Sequence, residues 1–223
     1  MSKHSSDIPR LIYVMGIDGS GKSTVTEHLA RQLEEKGYDV DIIWLRYNNV
    51  ISKPLLGLCR LLGYTRYETC DGHRIGYHNF YKSSIISHAF VFFQYLDALR
   101  VKYTKILPKY GKSNKVIILD RYVYDILIDI AVDTRRKSLL SSWFGRQFKR
   151  LLPDDSVNIL VRRSWSDIID ARPEGHVDRN FESRFKLFEE IKDDEGINAI
   201  DNSGTLDELL DSASRIAGLK NES

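Results

Sequence analysis

Nine consecutive residues, Gly16-Ile17-Asp18-Gly19-Ser20-Gly21-Lys22-Ser23-Thr24, fit the spacing G-x-x-x-x-G-K-[ST] of a phosphate-binding loop. A glycine-rich turn lets successive backbone N–H groups point into one cavity that holds an anion. A helix that starts at the same place adds roughly half a positive charge at its N-terminus. The Lys22 ammonium can reach β- and γ-phosphates and the Ser23 hydroxyl can ligate Mg²⁺, a pattern shared by ATPases, GTPases, kinases and nucleotide-binding proteins; ATP with Mg²⁺ is the expected cofactor. Gly16, Asp18, Gly19, Ser20, Gly21, Lys22, Ser23 and Thr24 are the candidate cofactor-binding residues.

The elements that must position this loop are legible on both sides of it. Arg10 to Met15 reads as a short buried strand, and Val25, Leu29 and Leu33 recur at helical spacing before Gly37. A second apolar run, Lys115 to Leu119, suits a central parallel strand covered on both faces. It ends at Asp120-Arg121. Ligands of open α/β sheets bind at the carboxyl ends of strands, so this pair is expected at the same sheet edge as the loop. There Asp120 can hold Mg²⁺ through water or orient an acceptor, and Arg121 can clamp phosphoryl oxygens in a bidentate fork. Phosphoryl transfer needs such parts: a metal, cationic clamps and a positioned acceptor.

The remaining elements alternate. Tyr38 to Arg46 reads as strand 2, Pro54 to Leu62 as a short helix with Leu55, Leu58 and Leu62 on one side, and Ser83 to Leu107 as a long helix ended by Pro108. Tyr122 to Val132 begins another helix, and Leu140 to Leu151 is amphipathic. Val157 to Val161 is a strand, Ser166 is a candidate cap for the next helix, and Glu182 to Ile191 is helical. Ile197 to Ile200 is the last strand before the helix Leu206 to Ala217. Strands alternating with helices predict an α/β fold built on a parallel sheet. Gly63 to Tyr81, rich in Tyr, His, Gly and Arg, has poor periodicity and reads as a long connection. The charged turn from Ala171 to Arg179 has the composition of a mobile lid that closes over ATP.

These motifs resemble the thymidylate kinases and their relatives among P-loop nucleoside monophosphate kinases. The loop looks like that family's G-x-D-G-x-G-K-S-T. Ile106-Leu107-Pro108 and Val116 to Tyr122 look like its I-L-P and V-I-x-D-R-Y segments. Pro153-Asp154, Arg172 with Asp178-Arg179, and Ile200-Asp201-Asn202-Ser203 follow in the family's order. The resemblance implies a P-loop NTPase fold with helices on both faces of a five-stranded parallel sheet in the order 2-3-1-4-5. It implies a single kinase domain over 1–223, with an enlarged acceptor-side insertion at 48–82 and a lid at 171–181. Lys22, Asp120, Arg121, Arg172 and Arg179 are then catalytic, the last two because the phosphate loop carries no arginine. Asn202 lies near the adenine, Ser23 and Asp120 serve the metal, and Asp18, Arg46, Tyr95, Asp97, Arg121 and Tyr122 face the acceptor.

Two family positions on the acceptor side are not matched. The segment after strand 2 reads Arg46-Tyr47-Asn48-Asn49-Val50 where the family has R-F-P-E-R, and Ala98 stands where the family carries its base-reading arginine. The donor side is therefore intact and the acceptor side rebuilt. Three readings follow: transfer of the ATP γ-phosphoryl to a nucleoside monophosphate, transfer to a nucleoside, sugar or other small molecule, or a nucleotide-binding regulatory module that uses 64–95 as a contact surface.

The whole chain narrows the rest. Its 223 residues suit one α/β domain, and a formal charge of +2 does not mark a binder of nucleic-acid polymers. Cys59 and Cys70 match no C-x-x-C or zinc pattern, which points to reduced thiols and a cytoplasmic protein. Ile85 to Leu99 is too short and too polar to span a bilayer, so no membrane partner is expected. The family's members are commonly dimers, and the apolar face of helix 83–107 is either the surface for a homodimer or ordinary core.

Overall fold

β1 (Leu11–Met15) is buried at every position, and its alternating side chains divide the interior into two halves. Leu11, Tyr13 and Met15 face one core; Ile12 and Val14 face the other. A strand apolar on both sides needs cover on both sides, and helices supply it. In the computed structural model, which describes residues 8–45, 49–70, 73–176, 178–194 and 196–219, β1 lies at the centre of a five-stranded parallel sheet. Its other strands are β2 (Asp39–Trp44), β5 (Lys115–Asp120), β6 (Val157–Arg162) and β7 (Ile197–Asp201). β3 (Thr65–Cys70) and β4 (His73–His78) form a separate antiparallel hairpin.

The sheet order is β2-β5-β1-β6-β7. This differs from the expected numbering 2-3-1-4-5, because the segment read as a long connection contributes two strands that form a sheet of their own. Alternation was hard to see there because the hairpin exposes most of its described side chains on both faces. The register pairs Val14 with Asp120 and Met15 with Leu160, which brings the strand ends together beneath the glycine-rich loop.

One face is covered by α1 (Lys22–Glu35) and α8 (Leu206–Ile216), which bury Val25, Leu29, Leu33, Leu209 and Ala213. α1 stops at Gly37, whose φ of 86° suits a residue without a Cβ. α8 starts with a reciprocal cap between Thr205 and Glu208. The other face is covered by α3 (Ser84–Val101), α4 (Val123–Thr134), α5 (Trp143–Lys149) and α7 (Phe181–Glu190). Between β2 and β3 lies α2 (Lys53–Leu61), and between β6 and α7 lies α6 (Trp165–Ala171).

Several expectations are corrected. The helix expected over 83–107 ends its α-helical part at Val101 and continues as a π-helical stretch, Lys102–Ile106, before Pro108. α6 is capped by Ser164, whose hydroxyl accepts from the Asp167 N–H, rather than by Ser166. α5 spans Trp143–Lys149, its Ser142 cap placed after a short 3₁₀ turn, Lys137–Leu139. α2 turns Leu55, Leu56 and Cys59 inward and leaves Leu58, Leu61 and Leu62 exposed. No helix among the described residues is long and apolar enough to cross a membrane.

Candidate functional site

The loop between β1 and α1 is held open by glycine and closed around by neighbours. Gly16, Gly19 and Gly21 have φ of 141°, 89° and 103°, backbone that a side chain would strain. The space is also taken. A Cβ on Gly16 would stand 2.5 Å from the Val161 carbonyl oxygen, and one on Gly21 would stand 2.7 Å from Asn202 Nδ2. That Asn202 amide donates to the Ser20 carbonyl at 2.8 Å and so ties the end of β7 to the loop. The Arg172 stem lies over Gly19, its Cγ 3.0 Å from where a Cβ would be.

Lys22 opens α1 with only 6% of its surface exposed. Its ammonium donates to the Ile17 carbonyl at 2.6 Å and lies 3.8 Å from Asp18. Burial, with Arg121 nearby, pulls its pKa down to about 8. Ser23 and Thr24 are exposed on the first turn.

Arg121 follows β5 with a φ of 67°, a left-handed conformation uncommon outside glycine. This turn sends the guanidinium back across the sheet edge. It hydrogen-bonds the Asp18 carboxylate and stands 3.5 Å from Asp125. Burial works against its charge, but Asp125 and Asp18 hold its pKa above the ordinary arginine value. Asp125 in turn accepts the Tyr13 hydroxyl at 2.6 Å, and that hydroxyl accepts backbone N–H groups of Tyr122 and Tyr124 at 3.2 and 3.1 Å. Burial raises the pKa of Asp125, and burial followed by the neighbouring Asp125 charge raises that of Tyr13. Tyr13, Asp125 and Arg121 thus form one buried chain from the middle of β1 to the loop.

Asp120 sits beside this chain with its Oδ1 buried and without a hydrogen-bond partner. Among the described residues no group of three or more His, Cys, Asp or Glu is assembled to hold a metal. Mg²⁺ keeps several waters and takes as few as one or two protein oxygens, for which the buried Asp120 Oδ1 and the Ser23 hydroxyl are chemically suited. If Mg²⁺ binds here, Ser23 and Asp120 are the residues that would hold it.

A cavity of about 170 Å³ opens beside Arg121, walled by α3, α4, β4 and the chain before α2. Its polar lining is Asn49, His78, Gln94, Asp97, Arg121, Asp125, Asp129, Asp133 and Arg184; Leu56, Phe90, Val101 and Ile130 are among the apolar residues. A smaller gap beside Ile17 and Asp18 shares Arg121, Asp125, Asp129 and Arg184 with it, so the cavity leads toward the loop.

The expected residues divide into those brought together and those placed elsewhere. Lys22, Asp18, Arg121, Asp120, Asn202 and Arg172 gather around the loop. Tyr122 is buried, and its hydroxyl donates to the Ala98 carbonyl at 2.8 Å, which fixes α3 against α4 at the cavity wall. Asp97 lines the cavity, yet its carboxylate is committed. It accepts the N–H groups of Val50, Ile51 and Ser52 at 2.8–2.9 Å and the Ser52 hydroxyl at 2.7 Å, which anchors the start of α2. Tyr95 packs edge-on against Phe148, 5.3 Å between centroids, on the core side of α3. Arg179 turns to the hairpin, pairing with Glu68 at 2.5 Å and lying 4.4 Å above the Tyr77 ring. Arg46 lies outside the described residues.

The sequence reading missed Arg163, which donates to the Gly19 carbonyl at 3.2 Å from the end of β6, and the acidic residues of α4. Asp125, Asp129 and Asp133 recur every four residues in an otherwise apolar helix, a spacing that places them on one face. Arg184 of α7 meets this row, with Nε 2.8 Å from Asp129 and Nη1 3.0 Å from Asp178.

No protein-family model and no curated protein matches this chain.

Proposed function

We propose that this protein is an ATP-dependent phosphotransferase that moves the γ-phosphoryl group of ATP to a small-molecule hydroxyl. The observation that carries the reading is the single ion-pair chain joining donor loop and cavity: Asp18 of the loop, Arg121, then Asp125 on the cavity wall. One side of Arg121 meets the phosphate loop, and the other meets the space where an acceptor would sit. The resemblance of the loop and of Asp120-Arg121-Tyr122 to thymidylate kinases, and the parallel α/β sheet ending at the loop, support a P-loop kinase fold.

In this reading the acceptor oxygen forms a bond to the γ-phosphorus while the bond to the β,γ-bridging oxygen breaks. ADP leaves with the electron pair, and the hydroxyl proton passes to water. Lys22 leaves the Ile17 carbonyl for the phosphates. Arg121, already charged and fixed, faces the charge that develops on the moving group. Arg172, over Gly19, is the arginine best placed to close on the phosphates, and Arg163 braces the loop. Arg179 serves to hold the lid to the hairpin rather than to touch ATP.

The test is ADP release from ATP and Mg²⁺ with a panel of nucleoside monophosphates, nucleosides and sugars, with Lys22→Ala as the blank. Acceptor-stimulated release that Lys22→Ala abolishes is expected. Release indifferent to every acceptor points instead to a nucleotide-binding regulatory module.

A further inference from the structure

The cavity lining offers oxygens that make no hydrogen bond among the described residues. Asp133 is 6% exposed, lines the cavity and makes no hydrogen bond or close ion pair among the described residues, with Asp129 and Arg184 as its nearest charged neighbours. Asp125 Oδ1 makes no hydrogen bond but is already committed, facing Arg121 Nη1 at 3.5 Å. Gln94 gives its amide N–H groups to Asn49 and Ser52, at 3.0 and 3.2 Å, so its carbonyl oxygen remains. The two cations are already matched: Arg121 by Asp18 and Asp125, Arg184 by Asp129 and Asp178.

From this we infer that the cavity takes an acceptor without a phosphate that presents several hydrogen-bond donors, a small polyol or amino alcohol. The inference rests on the phosphotransfer reading above and names its substrate class. A buried carboxyl without a hydrogen-bond partner carries a desolvation cost when ionised, which a ligand hydroxyl or ammonium relieves and a phosphate dianion, adding negative charge beside it, increases. A phosphate dianion at this end would lie among Asp125, Asp129 and Asp133 with no unmatched cation among the described lining residues. The volume sets the size. At about 170 Å³ the cavity is below the roughly 300 Å³ at which drug-sized pockets begin, so it suits a single ring or short chain. Asp133, at the end of the row farthest from the loop in the sequence of α4, binds the acceptor's far donors and leaves the reacting hydroxyl toward Arg121.

The experiment uses the full-length protein, γ-labelled ATP with Mg²⁺, and a protein-free cell extract as the acceptor source. Half of the extract is first treated with alkaline phosphatase, which is then removed. Transfer of label to organic material in both halves, equal or greater after dephosphorylation, is the expected result. Transfer only to the untreated half overturns the inference and leaves the phosphotransfer reading standing. Absence of transfer from both halves overturns that reading and this inference with it. Cation exchange of the active extract then separates an amine-bearing acceptor from a neutral polyol. With that active fraction as substrate, Asp133→Asn is expected to raise the apparent KM at least tenfold while its melting temperature stays level or rises, and Asp133→Glu to recover part of the loss. An unchanged KM in a folded Asp133→Asn protein contradicts the role given to Asp133.

Discussion

Tyr13 donates its phenolic hydroxyl to Asp125 at 2.6 Å, joining the middle of the central strand to the helix that walls the cavity. The same hydroxyl receives the N–H groups at the start of α4, so one side chain fixes both the helix and the carboxylate that steadies Arg121. Tyr13→Phe keeps the ring in the core and removes this junction. It is expected to cost about 1–3 kcal/mol of stability, measured by denaturant unfolding, because Asp125 is left buried with fewer donors. Turnover with a productive acceptor should fall more than ATP affinity does, since Arg121 loses its orientation while the loop stays formed.

On the phosphotransfer reading, Lys22 should give ATP binding a pH dependence. Burial, reinforced by Arg121, lowers its pKa to about 8 in the free protein, and bound phosphates raise it again. A group protonated more tightly in the complex favours binding below its free pKa. ATP affinity should therefore be level below pH 8 and weaken, at most tenfold per unit, as pH rises above it. Isothermal titration from pH 7 to 9.5 measures this, and Lys22→Ala should bind weakly with no inflection near 8.

Gly21 and Gly37 both have positive φ, 103° and 86°, but only Gly21 is crowded. Its Cβ would meet Asn202 Nδ2, whereas the space at Gly37 is open. Gly21→Ala should weaken ATP binding at least tenfold. Gly37→Ala should cost about 1 kcal/mol in stability and leave ATP affinity alone.

Asp97 holds the start of α2 by four hydrogen bonds, and these outweigh burial to keep its pKa below the ordinary carboxylate value. A lowered pKa in the folded state means stability that is present above the unfolded pKa and lost as pH falls through the folded one. Asp97→Ala should destabilise by about 2–4 kcal/mol near neutral pH, with a difference that shrinks in acid. Amide hydrogen exchange at Val50, Ile51 and Ser52 should speed up together.

Asp133 has the opposite sign. Burial, and then the neighbouring Asp129 charge, raises its pKa well above the ordinary value. Its ionised form therefore weighs against the fold as pH rises above the unfolded pKa. Asp133→Asn should match the parent's melting temperature in acid and exceed it at neutral pH, by about 1–3 kcal/mol in stability.

The loop and its sheet edge were legible because their residues are local in sequence: loop, lysine and first helix turn lie within Gly16 to Thr24, and one apolar run leads to Asp120-Arg121. The cavity was not, because it is assembled from segments far apart in the chain. Asp97 matched a family position, but its role depends on Val50, Ile51 and Ser52, 45–47 residues away. Arg179 had the composition of a lid residue, and only the hairpin, itself hidden by weak alternation, shows that it pairs with Glu68. The row Asp125, Asp129 and Asp133 had a readable four-residue spacing, but its meaning waits on α3 and β4 closing the cavity around it.

The most direct measurement of the central claim follows the γ-phosphoryl group itself. Purified protein with γ-labelled ATP and Mg²⁺ is given a protein-free cell extract, and the label is separated into inorganic phosphate and organic products. Phosphotransfer predicts a new labelled organic compound that disappears with Lys22→Ala and falls at least a hundredfold with Arg121→Ala. Label released only as inorganic phosphate, at a rate the extract does not change, contradicts it.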